Sequence, residues 1–254
     1  MQLVFIHGPG AGGNAVAWHE QLKFFPGSLA PTLPGNPDGS TCATVEDCTE
    51  WLRGWLWAQG KTRDLVLVGY TLGSCIAVEY ALAYPEEVSG IVLSTIEIKP
   101  IPRVRPNHLD RCLAAVAGEP GKYEEWVQFQ RHALGAAPPD VMERLMAEHL
   151  KVGPAAQYRS IRLFTSFDGT GRLGQIKPKV MLIRGEADPL KPPDGEAEMH
   201  AQIPGSRMER LAEGGHFPIV ECHAQSNALI ADFVSTLGPS SAHAPVDAFG
   251  LNGG

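Results

Sequence analysis

The chain has 254 residues, of which 44% are hydrophobic and 19% are charged, and its formal net charge at pH 7 is -7. This length is enough to bury a substantial core, and the acidic balance argues against a nucleic-acid partner, which would need a basic surface. The five cysteines are odd in number and include no C-x-x-C pair, so we interpret them as reduced core thiols.

The two ends of the sequence predict where the protein works. The start, M-Q-L-V-F-I-H-G, runs directly into an apolar strand pattern and lacks the basic end and cleavage site of a signal peptide. No stretch approaches the roughly 18 to 20 consecutive apolar residues that a membrane helix needs. We therefore expect a cytoplasmic protein without a membrane span. Residues 238–254 are rich in Gly, Pro, Ser and Ala, which predicts a flexible tail.

Short runs rich in Val, Ile and Leu predict the strands. Four runs have the pattern of strands buried on both faces, at 3–6, 65–68, 91–93 and 180–183, and weaker candidates lie at 28–30 and 208–211. Between them, apolar residues recur at helical spacing, for example over 45–56 and 229–237. Strands that alternate with helices predict an α/β fold, a doubly wound and mainly parallel sheet of about six strands.

One segment interrupts this alternation. Residues 97–176 contain several helix patterns and no convincing strand. Because the segment begins where the strand at 91–93 ends, we expect a helical cap over a site at that edge of the sheet. Its aromatic residues are candidates for the pocket wall: Trp126, Phe129, Phe164 and Phe167.

The run G-Y-T-L-G at 69–73 stands between a predicted strand and a predicted helix. A tight turn there lifts the side chain of Thr71 above the sheet edge, and the flanking glycines leave room for closely approaching backbone. The helix that begins after Thr71 offers free N–H groups and the positive end of its dipole. Negative charge that develops at this position would be stabilised.

This turn resembles the G-x-S-x-G nucleophile elbow of the α/β-hydrolase superfamily, with threonine in place of serine. Three other segments resemble the family in the same order: H-G-P-G at 7–10, R-G-E-A-D-P at 184–189 and G-G-H-F-P at 214–218. The resemblance implies a hydrolase core at 1–96 and 177–237, a cap at 97–176 and a tail at 238–254. Only Met1 and Gln2 precede the first apolar run, so we expect a core that lacks the family's N-terminal hairpin.

The resemblance also implies a role for each site residue. Thr71 would be the nucleophile, His216 the general base and Asp188 the acid that orients the imidazole. Glu97, Glu186 and Asp194 remain alternatives for the acid.

The backbone N–H of Leu72 would donate to the oxyanion. Pro9 has no N–H, so we expect the second donor to be Gly10. His7 resembles the family's histidine that braces this loop without transferring protons. No histidine has metal-like spacing with other ligands, and neither a metal nor a cofactor is predicted.

Threonine at the elbow leaves three interpretations open. Thr71 is a working nucleophile strained by positive φ, or a substitution or loss that reduces activity and leaves a ligand-binding protein, or a residue that only orients substrate or water. The first predicts an esterase or lactonase that acts on a small molecule through an acyl-threonine. A carbon-carbon bond hydrolase, an aminopeptidase of the same fold and a homo-oligomeric assembly also stay open.

Overall fold

The fold is built on a parallel β-sheet, as seen in a computed structural model that describes residues 1–97, 106–190 and 194–238. Five strands lie side by side in chain order, all of them parallel. Their bounds are Gln2–Ile6 (β1), Leu65–Tyr70 (β2), Val88–Ser94 (β3), Lys179–Gly185 (β4) and Arg207–Leu211 (β5). Parallel pairing brings all five carboxyl ends to one edge of the sheet.

The predicted doubly wound parallel sheet is confirmed, and its described part has five strands where about six were predicted. The segment 28–30 forms a single bridge between Leu29 and Val4 and no longer strand. Leu29 donates to Leu3 O and accepts from Phe5 N, which begins a ladder on the outer side of β1. Pro31 follows and has no N–H, so the ladder cannot continue.

Helices cover both faces of the sheet. Outside the segment between β3 and β4, the helices are His19–Phe24 (α1), Val45–Trp57 (α2), Leu72–Ala83 (α3), Asp194–Gln202 (α7), Pro218–Glu221 (α8) and His223–Ser235 (α9). One core cluster joins the sheet to α2 and α3, and a second joins the opposite face to α9. Burial of apolar side chains from both clusters excludes water from the central strands and holds the sheet together.

In the described part of the sequence between β3 and β4 lie three α-helices, which we call the cap helices: Pro106–Val116 (α4), Lys122–Ala133 (α5) and Pro139–Ser166 (α6). Helix α6 is kinked at Gly153, which has φ 75° and precedes Pro154. Arg159 donates to Gly35 O at 3.1 Å, and Asn14 donates to Glu148 at 3.0 Å. These bonds tie α6 to the loops of the sheet on both sides of the kink.

The predicted cap and core boundaries remain predictions, and residues 239–254 of the predicted tail lie outside the described residues. In the part of the chain that is described, no helix combines the length and the apolar character needed to cross a membrane.

Candidate active site

Thr71 occupies a sharp turn between β2 and α3. Its φ is 48° and its ψ is -117°, so the positive φ predicted for this position is observed. A β-branched residue enters this region at a cost of order 1 to 3 kcal/mol. A Cβ added to Gly73 would lie 1.9 Å from Ile6 O, and one added to Gly69 would lie 2.3 Å from the Gly73 carbonyl carbon. The turn is therefore possible only with glycine on both sides.

Hydrogen bonds to β3 hold this turn in place. Thr71 N donates to Ser94 O at 3.0 Å, and the Ser74 hydroxyl donates to Gly69 O and Ser94 O at 2.8 and 2.9 Å. Ser94 N in turn donates to Ser74 Oγ at 3.0 Å. Ser74 is therefore engaged in the backbone of the turn and is not a substitute nucleophile.

His216 and Asp188 are brought together by the loops after β5 and β4. His216 Nδ1 lies 3.0 Å from Asp188 Oδ2 and 3.1 Å from Oδ1. The backbones of these loops also pair, since Ala187 N donates to Gly214 O at 2.9 Å. A Cβ on Gly185 would lie 2.2 Å from Gly215 O, so glycine is required for the loops to approach this closely. An imidazole with its Nδ1 on a carboxylate has Nε2 free to accept a proton.

The other candidate acids have different positions. Glu186 pairs with Arg210 at 3.1 Å. Two residues before Glu97, the Thr95 hydroxyl donates to His216 O at 2.7 Å. Asp194 is the first residue of α7, beyond the loop that carries Asp188.

The Thr71 hydroxyl does not complete a hydrogen-bonded row with His216. Thr71 Oγ1 is buried and has no hydrogen-bond partner among the described residues. It faces Gly8, where an added Cβ would lie 1.6 Å from it. Thr71 and His216 nevertheless line the same cavity. Rotation about χ1 would exchange the positions of the hydroxyl and the methyl group of Thr71.

The loop after β1 contains Gly10, the residue predicted as the second oxyanion donor. The Tyr70 hydroxyl donates to Gly10 O at 2.9 Å, and Gly13 N donates to the same oxygen at 3.0 Å. These two bonds fix the orientation of the loop around Gly10. Leu72 is the first residue of α3, so its N–H has no acceptor within the helix. Gly10 itself lines the cavity, directly against Phe217.

The buried ring of His7 stabilises this loop through two hydrogen bonds to backbone groups. Leu33 N donates to His7 Nε2 at 2.9 Å, which leaves the proton on Nδ1, 3.2 Å from Gly8 O. Complete burial lowers the pKa of His7 to about 4, so the ring is neutral at pH 7. A neutral ring can hold both contacts at once.

Glu221 is a site residue that sequence reasoning missed. Its Oε2 accepts from Gly215 N at 2.9 Å and from Phe217 N at 3.0 Å, the two amides on either side of His216. Burial raises the pKa of Glu221 to about 7. The available signal was an acidic residue five positions after His216 at the end of the apolar run 217–220. Glu221 therefore sets the path of the backbone that carries His216.

A cavity of about 860 Å³ lies between the sheet edge and the cap helices. Phe129 and Phe164 line it, as predicted. Trp126 and Phe167 do not: Trp126 stacks on His149, and Phe167 belongs to the core that contains α2 and α3. The residues that sequence reasoning missed include two glutamines of the cap, Gln130 and Gln157. Among the described residues, no cluster of three or more His, Cys, Asp or Glu could hold a metal ion.

Comparison with known proteins finds matches that cover most of the chain. The model of the Alpha/beta hydrolase family matches residues 3–229. A pimeloyl-[acyl-carrier protein] methyl ester esterase from Aromatoleum aromaticum is 25% identical over 91% of this chain and 97% of its own length. A putative 2-succinyl-6-hydroxy-2,4-cyclohexadiene-1-carboxylate synthase from Bacillus subtilis is 27% identical over 78% of this chain and 74% of its own.

Solved structures show the same fold. A thermophilic esterase from Thermogutta terrifontis superposes with a TM-score of 0.76 at 21% identity, covering 92% of this chain and 89% of that one.

Proposed function

This chain belongs to the alpha/beta hydrolase family and is a hydrolase, and we propose that it hydrolyses a small carboxylic ester or lactone through an acyl intermediate on Thr71. The observation that supports this most is the hydrogen bond between Asp188 and His216, because His216 lines the same cavity as Thr71. The methyl ester esterase among its relatives supports an ester as the substrate class.

In the proposed reaction, Thr71 Oγ1 attacks the ester carbonyl carbon while His216 Nε2 accepts the hydroxyl proton. The carbonyl oxygen becomes an oxyanion, which the N–H groups of Leu72 and Gly10 stabilise. His216 then donates its proton to the leaving alcohol oxygen as the carbon–oxygen bond breaks. Water, deprotonated by His216, attacks the acyl-threonine, and the acid is released as Thr71 Oγ1 recovers its proton.

The position of the Thr71 hydroxyl suggests a slow acylation step. Because Oγ1 faces Gly8, Thr71 must rotate about χ1 before Nε2 can accept its proton. Serine has no methyl group on Cβ and makes the same rotation freely. The same observation favours a second candidate, in which Thr71 only orients a water molecule that His216 activates directly.

Hydrolysis of p-nitrophenyl acetate by four variants tests the proposal. We expect His216→Ala and Thr71→Ala each to lower kcat/KM by about 10³-fold or more, and Thr71→Ser to raise it about tenfold. The exposed residues Thr170 and His132 provide the matched controls Thr170→Ala and His132→Ala, which should retain the wild-type rate.

Mass spectrometry after reaction with a fluorophosphonate separates the two candidates. An adduct on Thr71 is expected if it is the nucleophile. Partial activity of Thr71→Ala, without an adduct on Thr71 in the wild type and with complete loss in His216→Ala, would instead support direct activation of water that Thr71 orients. Tight binding of esters with no turnover by the wild type would contradict both, and would indicate a ligand-binding protein.

A further inference from the structure

Two buried glutamines form part of the cap side of the cavity. Gln130 on α5 is 2% exposed and Gln157 on α6 is 7% exposed, although both line the cavity. Gln157 Nε2 donates to Gln130 Oε1 at 3.3 Å, so the two amides form a pair that bridges the helices. Burying an amide costs free energy unless it is hydrogen-bonded. The orientation of each amide in this pair therefore decides which of its atoms are left without a partner.

Trp126 fixes that orientation. Its Nε1 donates to Gln157 Oε1, and an indole nitrogen can only donate. Cys112 Sγ also donates to Gln157 Oε1, at 3.5 Å. Gln157 must therefore present its oxygen to Trp126 and its amide nitrogen to Gln130 Oε1. The chain of hydrogen bonds then ends on Gln130 Nε2, a donor.

That terminal donor is unsatisfied. Gln130 Nε2 is buried and has no hydrogen-bond partner among the described residues. Reversing the Gln130 amide would not help, because it would set Nε2 against the donor Nε2 of Gln157. A buried N–H without an acceptor destabilises the free protein, and a ligand oxygen that reaches it recovers this free energy.

We propose that Gln130 Nε2 is a specificity subsite that binds a hydrogen-bond acceptor, such as a ketone carbonyl oxygen, on a part of the substrate away from the scissile ester. The subsite deepens the proposed function and rests on it, since it assumes that the ester carbonyl lies at Thr71. Gln130 lies on a cap helix, whereas Thr71 and His216 lie at the sheet edge.

The surroundings favour a neutral acceptor. The amide pair, Trp126 and Cys112 are all uncharged, and burial raises the pKa of the Cys112 thiol to about 12. Arg162 lines the cavity but is exposed, and Asp110 lines it as well. A carboxylate bound at Gln130 would be desolvated among these uncharged groups, which is unfavourable.

Ligand binding to a Thr71→Ala protein tests the subsite without turnover. The probes are methyl octanoate and its oxo derivatives, which carry the ketone at successive positions along the chain. NMR titration gives a Kd for each, and the measured quantity is the Kd of methyl octanoate divided by that of the oxo ester. For at least one ketone position, we expect this ratio to be about tenfold lower when the Thr71→Ala protein also carries Gln130→Met or Gln130→Glu, because the ketone then has no donor.

The two replacements control for each other. Gln130→Met removes both polar atoms, whereas Gln130→Glu, used at a pH high enough to ionise its carboxyl group, keeps an acceptor for Gln157 Nε2 and replaces the donor with a second acceptor oxygen and a negative charge. Gln128→Met, at an exposed position on the same helix, should leave the ratio unchanged. An unchanged ratio at every ketone position in both Gln130 variants would overturn the proposal.

Turnover of the same esters by the wild type separates the two proposals. A lower ratio in the Gln130 variants together with no hydrolysis of any ester would support the subsite and contradict acyl transfer at Thr71. Hydrolysis of the esters with a ratio that does not respond to Gln130 would contradict the subsite and support the ester hydrolase.

Discussion

The strand-end loops and the cap helices are built differently. In the loops, backbone positions are fixed by hydrogen bonds and by contacts that only glycine permits: Glu221 holds the amides around His216, and Gly185 and Gly73 leave no room for a side chain. In the cap, packing dominates, and the side chains of Gln130 and His149 are buried with polar atoms that lack partners among the described residues. Thr71 Oγ1 also lacks a partner, but the backbone that carries it is fixed.

This difference indicates a division of labour. A reacting hydroxyl and its base need fixed relative positions, so restraints from several strands converge on them. A pocket that must accept a substrate benefits from polar groups that remain unpaired until the substrate arrives. We therefore expect substitutions in the loops to remove activity, and some substitutions in the cap to be tolerated or even stabilising.

The largest expected effect is that of Asp188→Asn. Asparagine has the same shape and retains an oxygen for Leu190 N, which now donates to Asp188 Oδ1 at 2.8 Å. Its amide would donate to His216 Nδ1, which moves the imidazole proton to Nε2 and removes the base facing Thr71. We expect kcat/KM for p-nitrophenyl acetate to fall by about 10⁴-fold with little change in stability.

Asp38 is exposed in the loop that follows residues 28–30. Asp38→Asn is therefore the matched control and should retain activity. If Asp188→Asn lowered kcat/KM by less than about tenfold, the activity of His216 would not depend on this carboxylate. That result would contradict the expectation that substitutions in the loops remove activity.

Much of the loop region could be predicted from the sequence because each of its parts is local. A strand, a tight turn with flanking glycines and a helix predict the geometry at Thr71, and the observed φ of 48° agrees with it. Asp188 and His216 follow two other strands, and parallel strands deliver both to one edge. What the local pattern did not predict was the direction of the Thr71 hydroxyl, which depends on the Gly8 backbone.

The cap was predicted only as a set of helices. Its amide pair depends on how α5 packs against α6, and no local pattern specifies that packing. Trp126 was a candidate for the pocket wall as an aromatic residue of the segment 97–176, yet its N–H donates to Gln157 and its ring stacks on His149. Polar residues such as Gln130 give no helical signal that distinguishes a buried position from an exposed one.

The next largest effect concerns Glu221 and pH. Burial raises the pKa of Glu221 to about 7 in the folded protein, from 4.5. The stability that this raised pKa contributes is present in full below pH 4.5 and is lost as the pH rises through 7, by about 3 kcal/mol. We expect the free energy of unfolding of the wild type, minus that of Glu221→Gln, to fall by this amount over that range in urea titrations.

The exposed Glu213, in the same loop as His216, supplies the control Glu213→Gln, measured over the same pH range. A difference that rises with pH for Glu221→Gln would mean that the two amide donors dominate over burial, and would reverse the sign of this prediction.

The smallest effect comes from the cap, where His149→Phe should stabilise the protein. His149 is fully buried, neither ring nitrogen has a partner among the described residues, and its ring stacks on Trp126 with centroids 4.2 Å apart. Phenylalanine retains the stacking and removes two unsatisfied polar atoms, which is neutral or favourable.

The difference in unfolding free energy between His149→Phe and the wild type should increase as the pH falls. Burial lowers the pKa of His149 to about 3, from 6.5, so the wild type loses stability as the pH falls below 6.5, when the unfolded chain takes up a proton that the folded protein excludes. The phenylalanine variant has no such loss, so its advantage in unfolding free energy should grow by about 2 kcal/mol between pH 7 and pH 5. His132→Phe, at an exposed position near the end of α5, should show no such growth. If His149→Phe instead destabilised the protein at both pH values, the His149 nitrogens would form stabilising hydrogen bonds. The cap would then resemble the loops, where buried polar groups stabilise the structure.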